Sequence, residues 1–394
     1  MLRKPCAARN ESISPMKAKG KLPTPASNGA HQRVRYALVA LGNISQVAVL
    51  PGFLNATANS ELAAIVSDDT KKKKALARAY KVRDCYSYDQ YEECLRSGKI
   101  DAVYLALPNH LHREFTVRAA GAGIHVLSEK PLAMDECECQ EMIRACEENN
   151  VKLMTAYRLH FEQANLEAIK IVQSGKLGEP RYFNSTFSMQ VKEGIRTSRK
   201  KGGGTLYDIG IYCINAARYL FQSDPQMVFA FSTMGKDRRF QEVDEMTAAT
   251  LRFPGKRLAS FTCSFGAADT AAYEVIGTRG TLRVNQAYEF SEPMKMEITV
   301  GDKTTRRTFA KRDQFGPEII YFSDCILHNR QPEPSGCEGL VDVHVIRSLY
   351  ESARAGRAVC LERFRRRHRP SARREITRPA KEPLEIVHTE APNE

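Results

Sequence analysis

Two short stretches carry side chains that could exchange a proton with a substrate hydroxyl. Ser128-Glu129-Lys130-Pro131 sets a lysine beside a carboxylate. A lysine with a lowered pKa suits a group that must trade protons with a hydroxyl while hydride leaves the same carbon, and Glu129 can orient it. Further along, Gly202-Gly203-Gly204-Thr205-Leu206-Tyr207-Asp208-Ile209-Gly210-Ile211-Tyr212 spaces a carboxylate and a phenol i, i+4. A helix turns residues at that spacing to one side, and three glycines ahead of it allow close approach of backbone to a ligand. Taken alone, the first stretch also reads as a surface pair at a strand end. The second also reads as a helix-start Asp with a buried Tyr.

A third stretch, Ala40-Leu41-Gly42-Asn43-Ile44-Ser45, is a tight turn after an apolar run. Gly-rich turns of this kind let backbone N–H groups approach a pyrophosphate at a helix N-terminus, and Gly42 holds the position of closest approach. Its place after the first strand of a βαβ series favours a dinucleotide site over a plain turn. The end of the second strand distinguishes NADP from NAD. There Ser67 is followed by Lys71 to Lys74, a hydroxyl and cations that could take a 2′-phosphate. Asp68 could instead accept a ribose hydroxyl, and the lysines could be a solvated helix face. On balance these residues favour NADP, with NAD the less favoured cofactor. Lys130 would then lie near a positively charged nicotinamide, which together with partial burial lowers its pKa.

The elements that must position these residues follow from periodicity. Apolar runs at 34–41, 61–66, 101–107, 125–130 and 152–158 alternate with amphipathic segments at 67–80, 112–123 and 135–149. Buried strands alternating with helices predict a doubly wound parallel sheet of Rossmann type. Beyond residue 160 the pattern becomes strands of period two at 181–191, 227–235, 245–253, 258–266, 272–284 and 294–301, separated by turn residues. They predict an antiparallel sheet forming a second domain. A final helix at 339–356 closes the body. The resulting division is a basic disordered head at 1–33, a dinucleotide domain at 34–158, a second domain at 159–361, and a basic, proline-containing tail at 362–394.

Composition narrows the class. The chain has 394 residues, 42% apolar and 27% charged, typical of a globular protein. It has no apolar run near the ~18 residues of a membrane span and no apolar segment behind the basic start, so it reads as cytoplasmic. Eleven cysteines with no paired CxxC spacing read as reduced thiols. His110, His112, His125 and His160 fall on different elements and match no zinc spacing, so no metal is expected. The net charge of +13 sits mostly in the tails: residues 1–35 hold eight Lys/Arg against one Glu, and residues 361–394 nine against six. These read as solvated arms, with polyanion contact or an arm over the cofactor as alternatives. No nucleic-acid module pattern is present, so no specific nucleic-acid partner is expected.

Leu107-Pro-Asn-His-Leu-His112, SEKP at 128–131, AYRLHFEQAN at 156–165 and GGGTLYDIGIYCIN at 202–215 together resemble the glucose–fructose oxidoreductase/inositol dehydrogenase/MocA (Gfo/Idh/MocA) family. The likeness spans about residues 34–361 and is greatest to the glucose–fructose oxidoreductase branch, where Tyr replaces the usual His at position 212. The resemblance implies that Lys130 and Tyr212 transfer the proton and that Asp208 positions substrate, with Arg196 within reach of it. It places Gly42, Asn43, Ile44, Leu107, Pro108, Asn109, His112, Glu129, Lys130 and Arg158 around the cofactor. Ser67 and Lys72 match the 2′-phosphate contacts of the NADP-binding branch.

The expected activity is therefore an NADP(H)-dependent sugar oxidoreductase. Hydride would pass between the anomeric carbon of an aldose and the nicotinamide, giving a lactone, and a fructose-like sugar could reoxidise retained NADPH. Alternatives are an exchanging xylose or glucose dehydrogenase, an anhydroketose reductase, or a non-catalytic dinucleotide-binding regulator. The resemblance also implies that the domain at 159–361 binds substrate and that its sheet, open-faced and mostly antiparallel with helices on one face, forms a homodimer or homotetramer.

Overall fold

A computed structural model of the protein describes residues 33–362, 364, 370, 372–389 and 391. The basic head before Arg33 and most of the arginine run at 363–369 lie outside the described residues.

The first sheet has six strands: β1 (Val34–Val39), β2 (Ser60–Val66), β3 (Asp84–Tyr86), β4 (Ala102–Leu105), β5 (His125–Glu129) and β6 (Leu153–Ala156). Their order is β3-β2-β1-β4-β5-β6 and every pairing is parallel. That order reverses direction between β1 and β4, and ligands of open α/β sheets bind outside the strand carboxyl ends at such a point. Gly42 follows β1 and Leu107 follows β4, so both line that crevice. β3 was not among the expected strands, because its three residues, Asp-Cys-Tyr, show no apolar run.

Helices α1 (Leu50–Asn55), α2 (Thr70–Ala79), α3 (Tyr91–Arg96), α4 (His112–Gly121) and α5 (Glu136–Glu148) connect these strands. Alternate strand residues serve opposite faces. Ala37 and Val39 join a core with Phe115 of α4 and Met142 of α5. Tyr36 and Leu38 join a different one with Phe53, Phe315, Ile319 and Phe322. The last two lie on α8 (Gly316–Leu327), which falls within the 159–361 stretch assigned from sequence to the second domain. It nevertheless covers the first sheet, and Tyr36 Oη meets Ser323 Oγ at 2.7 Å.

The second sheet has nine strands: β7 (Pro180–Ser188), β8 (Met227–Thr233), β9 (Met246–Phe253), β10 (Arg257–Ser264), β11 (Thr270–Gly277), β12 (Gly280–Asn285), β13 (Met294–Val300), β14 (Lys303–Phe309) and β15 (Val359–Cys360). Only β7 and β10 pair in parallel. The single strand expected at 272–284 is two, paired antiparallel as β11 and β12. Alternation is clearest in β9, whose residues switch between exposed and buried throughout. The inner face packs under α6 (Gln163–Gln173), α7 (Ile211–Leu220) and α9 (Gly336–Ala355). The outer face carries exposed Phe231, Met246 and Leu258.

Two expectations are corrected. Among the described residues nine cysteines are free thiols, but Cys137 is disulfide-bonded. The tail is not a solvated arm over its described part: Pro379, Leu384 and Val387 hydrogen-bond to Asn55, Tyr80 and Gln46 of the first domain, and Arg374 donates to the Glu333 carbonyl. Among the described residues, no helix is long and apolar enough to cross a membrane, and no group of three His, Cys, Asp or Glu could hold a metal.

Candidate active site

Lys130 leaves the carboxyl end of β5, and its peptide bond to Pro131 is cis. Asp208 lies in a π-helical turn, Leu206–Gly210, that runs straight into α7, whose first turn carries Tyr212. A π turn within a helix shifts side-chain direction, and such turns recur at functional sites. Lys130 Nζ donates to the Asp208 carbonyl at 2.7 Å and to its Oδ1 at 3.1 Å. The same ammonium lies 4.9 Å from the centre of the Tyr212 ring. Arg196 Nε reaches Asp208 Oδ2 at 2.5 Å, so the carboxylate is clamped between two cations. Burial alone would raise the Asp208 pKa, but Arg196 and Lys130 outweigh it and bring it down to about 2. Sequence reasoning therefore brought Lys130, Arg196, Asp208 and Tyr212 to one place.

The expected state of Lys130 is corrected. Burial works against its charge, yet Tyr212, Asp208 and Glu129 more than offset that, and its pKa is raised rather than lowered. Glu129 does not orient the ammonium either. Its Oε2 accepts the Lys130 backbone N–H at 3.3 Å and its Oε1 accepts from Tyr104 Oη at 2.9 Å. Tyr104 is also 2.9 Å from Glu318 Oε1 of α8. One hydroxyl proton cannot serve two carboxylates. Burial, with Glu129 alongside, pushes the Glu318 pKa well up, and burial raises that of Glu129 as well. Tyr104 and Glu318 were missed because one sits in a plain apolar strand and the other in a distant helix.

Arg158 is buried and donates from Nη2 to Tyr212 Oη at 3.3 Å, while Gln314 and the Tyr288 carbonyl accept its other bonds. A pocket of about 270 Å³ opens here, lined by Lys130, Tyr157, Arg158, Leu159, Tyr212 and Asn215 among others.

The three glycines serve the protein rather than a ligand. A Cβ on Gly203 would stand 2.2 Å from the Arg196 carbonyl oxygen, and one on Gly202 would stand 2.6 Å from Asn109 Cβ. Asn109 Nδ2 donates to the Gly202 carbonyl at 2.7 Å, tying the turn after β4 to the glycine-rich turn. His112, expected at the cofactor, is fully buried between the carbonyls of Leu107 (2.8 Å) and Pro131 (2.9 Å). It can hold the turns carrying Pro108 and Lys130, but it does not face the crevice.

The first βα turn fits a dinucleotide. A Cβ on Gly42 would meet nothing within 4 Å, so the turn presents open backbone beside Asn43 and Ile44. Ala40 holds φ 77°, a conformation ordinarily left to glycine, and Ser45 Oγ fixes it by donating to the Ala40 carbonyl at 2.9 Å. After β2, Ser67 Oγ accepts the Asp69 N–H at 3.2 Å, which leaves its own O–H able to donate. Lys72 stands at the same corner, 3.8 Å from Asp69 Oδ2. Asp68 is turned to the Tyr88 N–H at 2.8 Å.

A doubly wound sheet with a Lys–Asp–Arg–Tyr cluster at its carboxyl edge is an arrangement that a dinucleotide-linked oxidoreductase would use. Residues 34–157 match the oxidoreductase family with NAD-binding Rossmann fold, and residues 165–283 match the GFO/IDH/MocA C-terminal domain. The chain belongs to the Gfo/Idh/MocA oxidoreductase family. It is 29% identical to D-xylose 1-dehydrogenase [NADP(+)] of Haloarcula marismortui over 84% of this chain and 93% of that one. It is 30% identical to D-xylose 1-dehydrogenase (NADP(+)) 2 of Haloferax volcanii, covering 83% and 99%. Among solved structures, aldose-aldose oxidoreductase from Caulobacter crescentus complexed with glycerol superposes with a TM-score of 0.80 at 35% identity, covering 84% of this chain and all of that one.

Proposed function

We propose that the protein oxidises aldoses at the anomeric carbon with NADP, giving a lactone. The clamp of Lys130, Asp208 and Arg196 against Tyr212 at the end of β5 carries this reading. The activities of the xylose dehydrogenases and of the aldose-aldose oxidoreductase support the substrate class and, for the former, the cofactor. Gly42, Asn43 and Ile44 would hold the pyrophosphate, and Ser67 with Lys72 the 2′-phosphate. Leu107, Pro108, Asn109 and Arg158 would border the nicotinamide half.

The nicotinamide, when bound, accepts the hydride from C1. Lys130 remains an ammonium, anchored on Asp208 through two hydrogen bonds, and directs its third N–H to the sugar oxygen that loses its proton. Its charge stabilises negative charge developing on that oxygen. Tyr212, with Arg158 on its hydroxyl and Lys130 near its ring, relays the proton: its oxygen accepts the sugar proton as its own hydroxyl proton passes to solvent. Asp208 fixes both Lys130 and Arg196, and the buried Glu129–Tyr104–Glu318 set braces the strand end beneath them. The exposed face bearing Phe231, Met246 and Leu258 supports a homo-oligomeric contact. A Phe231→Glu variant should then elute at a smaller size than wild type, and an unchanged elution would argue against it.

Two versions differ in what reoxidises the cofactor. The test is an absorbance and fluorescence spectrum of the purified protein with D-xylose or D-glucose added. A reduced-nicotinamide signal with no added nucleotide, reversed by a second sugar, supports an internally recycling enzyme. A signal only after adding NADP supports an exchanging dehydrogenase, and none under either condition for a panel of aldoses rejects the proposal.

A further inference from the structure

The C-terminal segment runs over the first domain toward the dinucleotide crevice. The Pro379 carbonyl accepts from Asn55 Nδ2 at 2.8 Å, at the end of α1. The Leu384 N–H then donates to Tyr80 Oη at 3.0 Å, at the end of α2. Val387 makes a reciprocal pair with Gln46: its N–H donates to Oε1 at 2.8 Å and its carbonyl accepts from Nε2 at 3.0 Å. Gln46 is fully buried and also donates from Nε2 to the Leu41 carbonyl at 2.9 Å, next to Gly42. The segment therefore passes from the carboxyl ends of both helices to their amino ends, where the phosphates of a dinucleotide belong.

His388 is the next residue after Val387, so the Val387–Gln46 pair sets it beside the turn that follows β1. The Asp69 carboxyl is held below its ordinary value first by the Lys72 N–H, and also by the nearby charges of Lys72 and His388. Val387 packs on the core beneath the first turn. Leu384 and Ile386 keep 55% of their surface exposed, apolar area that a purine can cover.

We propose that residues 384–388 are part of the cofactor site, a strap that closes the adenosine end, slows release of NADP and, through His388, favours NADP over NAD. This rests on the NADP reading above. Backbone pairing to a buried glutamine in the phosphate turn couples strap and cofactor directly: an ordered turn holds the strap, and the strap holds the turn. No charge need be added elsewhere, since the imidazole supplies a hydrogen-bond donor at the 2′-phosphate corner.

The test is equilibrium binding and release of NADP, NAD and 2′,5′-ADP by the full chain, measured by calorimetry and stopped-flow fluorescence. Three variants are compared with wild type: His388→Ala, Val387→Pro, which removes the N–H given to Gln46, and a chain ending at Glu382. The truncated chain and Val387→Pro should release NADP about tenfold faster or more. His388→Ala should weaken NADP and 2′,5′-ADP about threefold to tenfold and leave NAD unchanged. Thermal melting without nucleotide confirms folding; if the truncated chain does not fold, the two point variants decide. Wild type that binds NADP while the folded variants keep its affinity and release rate within about twofold overturns the strap. Wild type that binds neither nucleotide overturns the NADP reading itself, and the strap with it.

Discussion

Replacing Lys130 with methionine removes the ammonium but keeps the length of the side chain, so it separates chemistry from packing. The lost bonds are those to the Asp208 carbonyl and Oδ1, at 2.7 and 3.1 Å, from a side chain 15% exposed. Stranding a buried charge costs ~3–5 kcal/mol. Here Asp208 keeps Arg196 at 2.5 Å, so its charge stays paired. Relief from burying the ammonium offsets part of the remainder, and the net loss of stability should be about 1–2 kcal/mol. That is a fall of a few degrees in melting temperature. Turnover should fall far more, by about 10²–10⁴, because the charge that stabilises the oxygen losing its proton is gone. NADP affinity should change little. Adding Tyr212→Phe to Lys130→Met should cost much less than the product of the two single effects, as residues acting in one step are not additive. A folded Lys130→Met variant with turnover within about threefold of wild type would refute the assigned chemistry.

Asp208 carries a pH signature. Its folded pKa of about 2 lies below the ordinary 3.8, so ionised Asp208 stabilises the fold above pH 4 and loses that contribution as pH falls through 2. The shift corresponds to about 2 kcal/mol, which Asp208→Asn should forfeit at neutral pH. Urea melts should show the gap to wild type narrowing as pH drops below 4; a constant gap would contradict the clamp. Ala40→Gly relieves the positive φ of 77° and should raise stability by about 0.5–1 kcal/mol in thermal or urea melts. Gly203→Ala places a Cβ 2.2 Å from the Arg196 carbonyl oxygen, so the arginine must shift off Asp208. It should lose turnover at least about tenfold with a stability cost of about 1–3 kcal/mol, and a kinetically normal variant would show the turn can yield.

How much of this was legible in the sequence depended on whether the signal was local. The run VRYALV announced β1 because a parallel strand buried on both faces is apolar throughout, and β9 announced itself by strict alternation. Asp208 and Tyr212 were found through their spacing, although the segment proved to be a π turn rather than a regular helix. Long-range packing was not legible. Nothing in the residues of α8 shows that they cover Tyr36 of the first sheet, or that Glu318 shares a hydrogen bond with Tyr104. The charge state of Lys130 failed for the same reason: Asp208, which counters the burial, lies 78 residues away. The tail was misread because its composition is polar and basic. It is held mostly by backbone groups meeting Asn55, Tyr80 and Gln46, and backbone bonding leaves no mark on composition.

The central claim is that hydride leaves C1 of an aldose for NADP. D-glucose and D-xylose deuterated at C1 should be incubated with the enzyme and NADP, and the nucleotide and sugar products examined by NMR. The account predicts deuterium at C4 of the reduced nicotinamide and an unlabelled lactone, with wild type and not with the Lys130→Met variant. Reduced cofactor carrying no deuterium, or label retained in the sugar product, would contradict it.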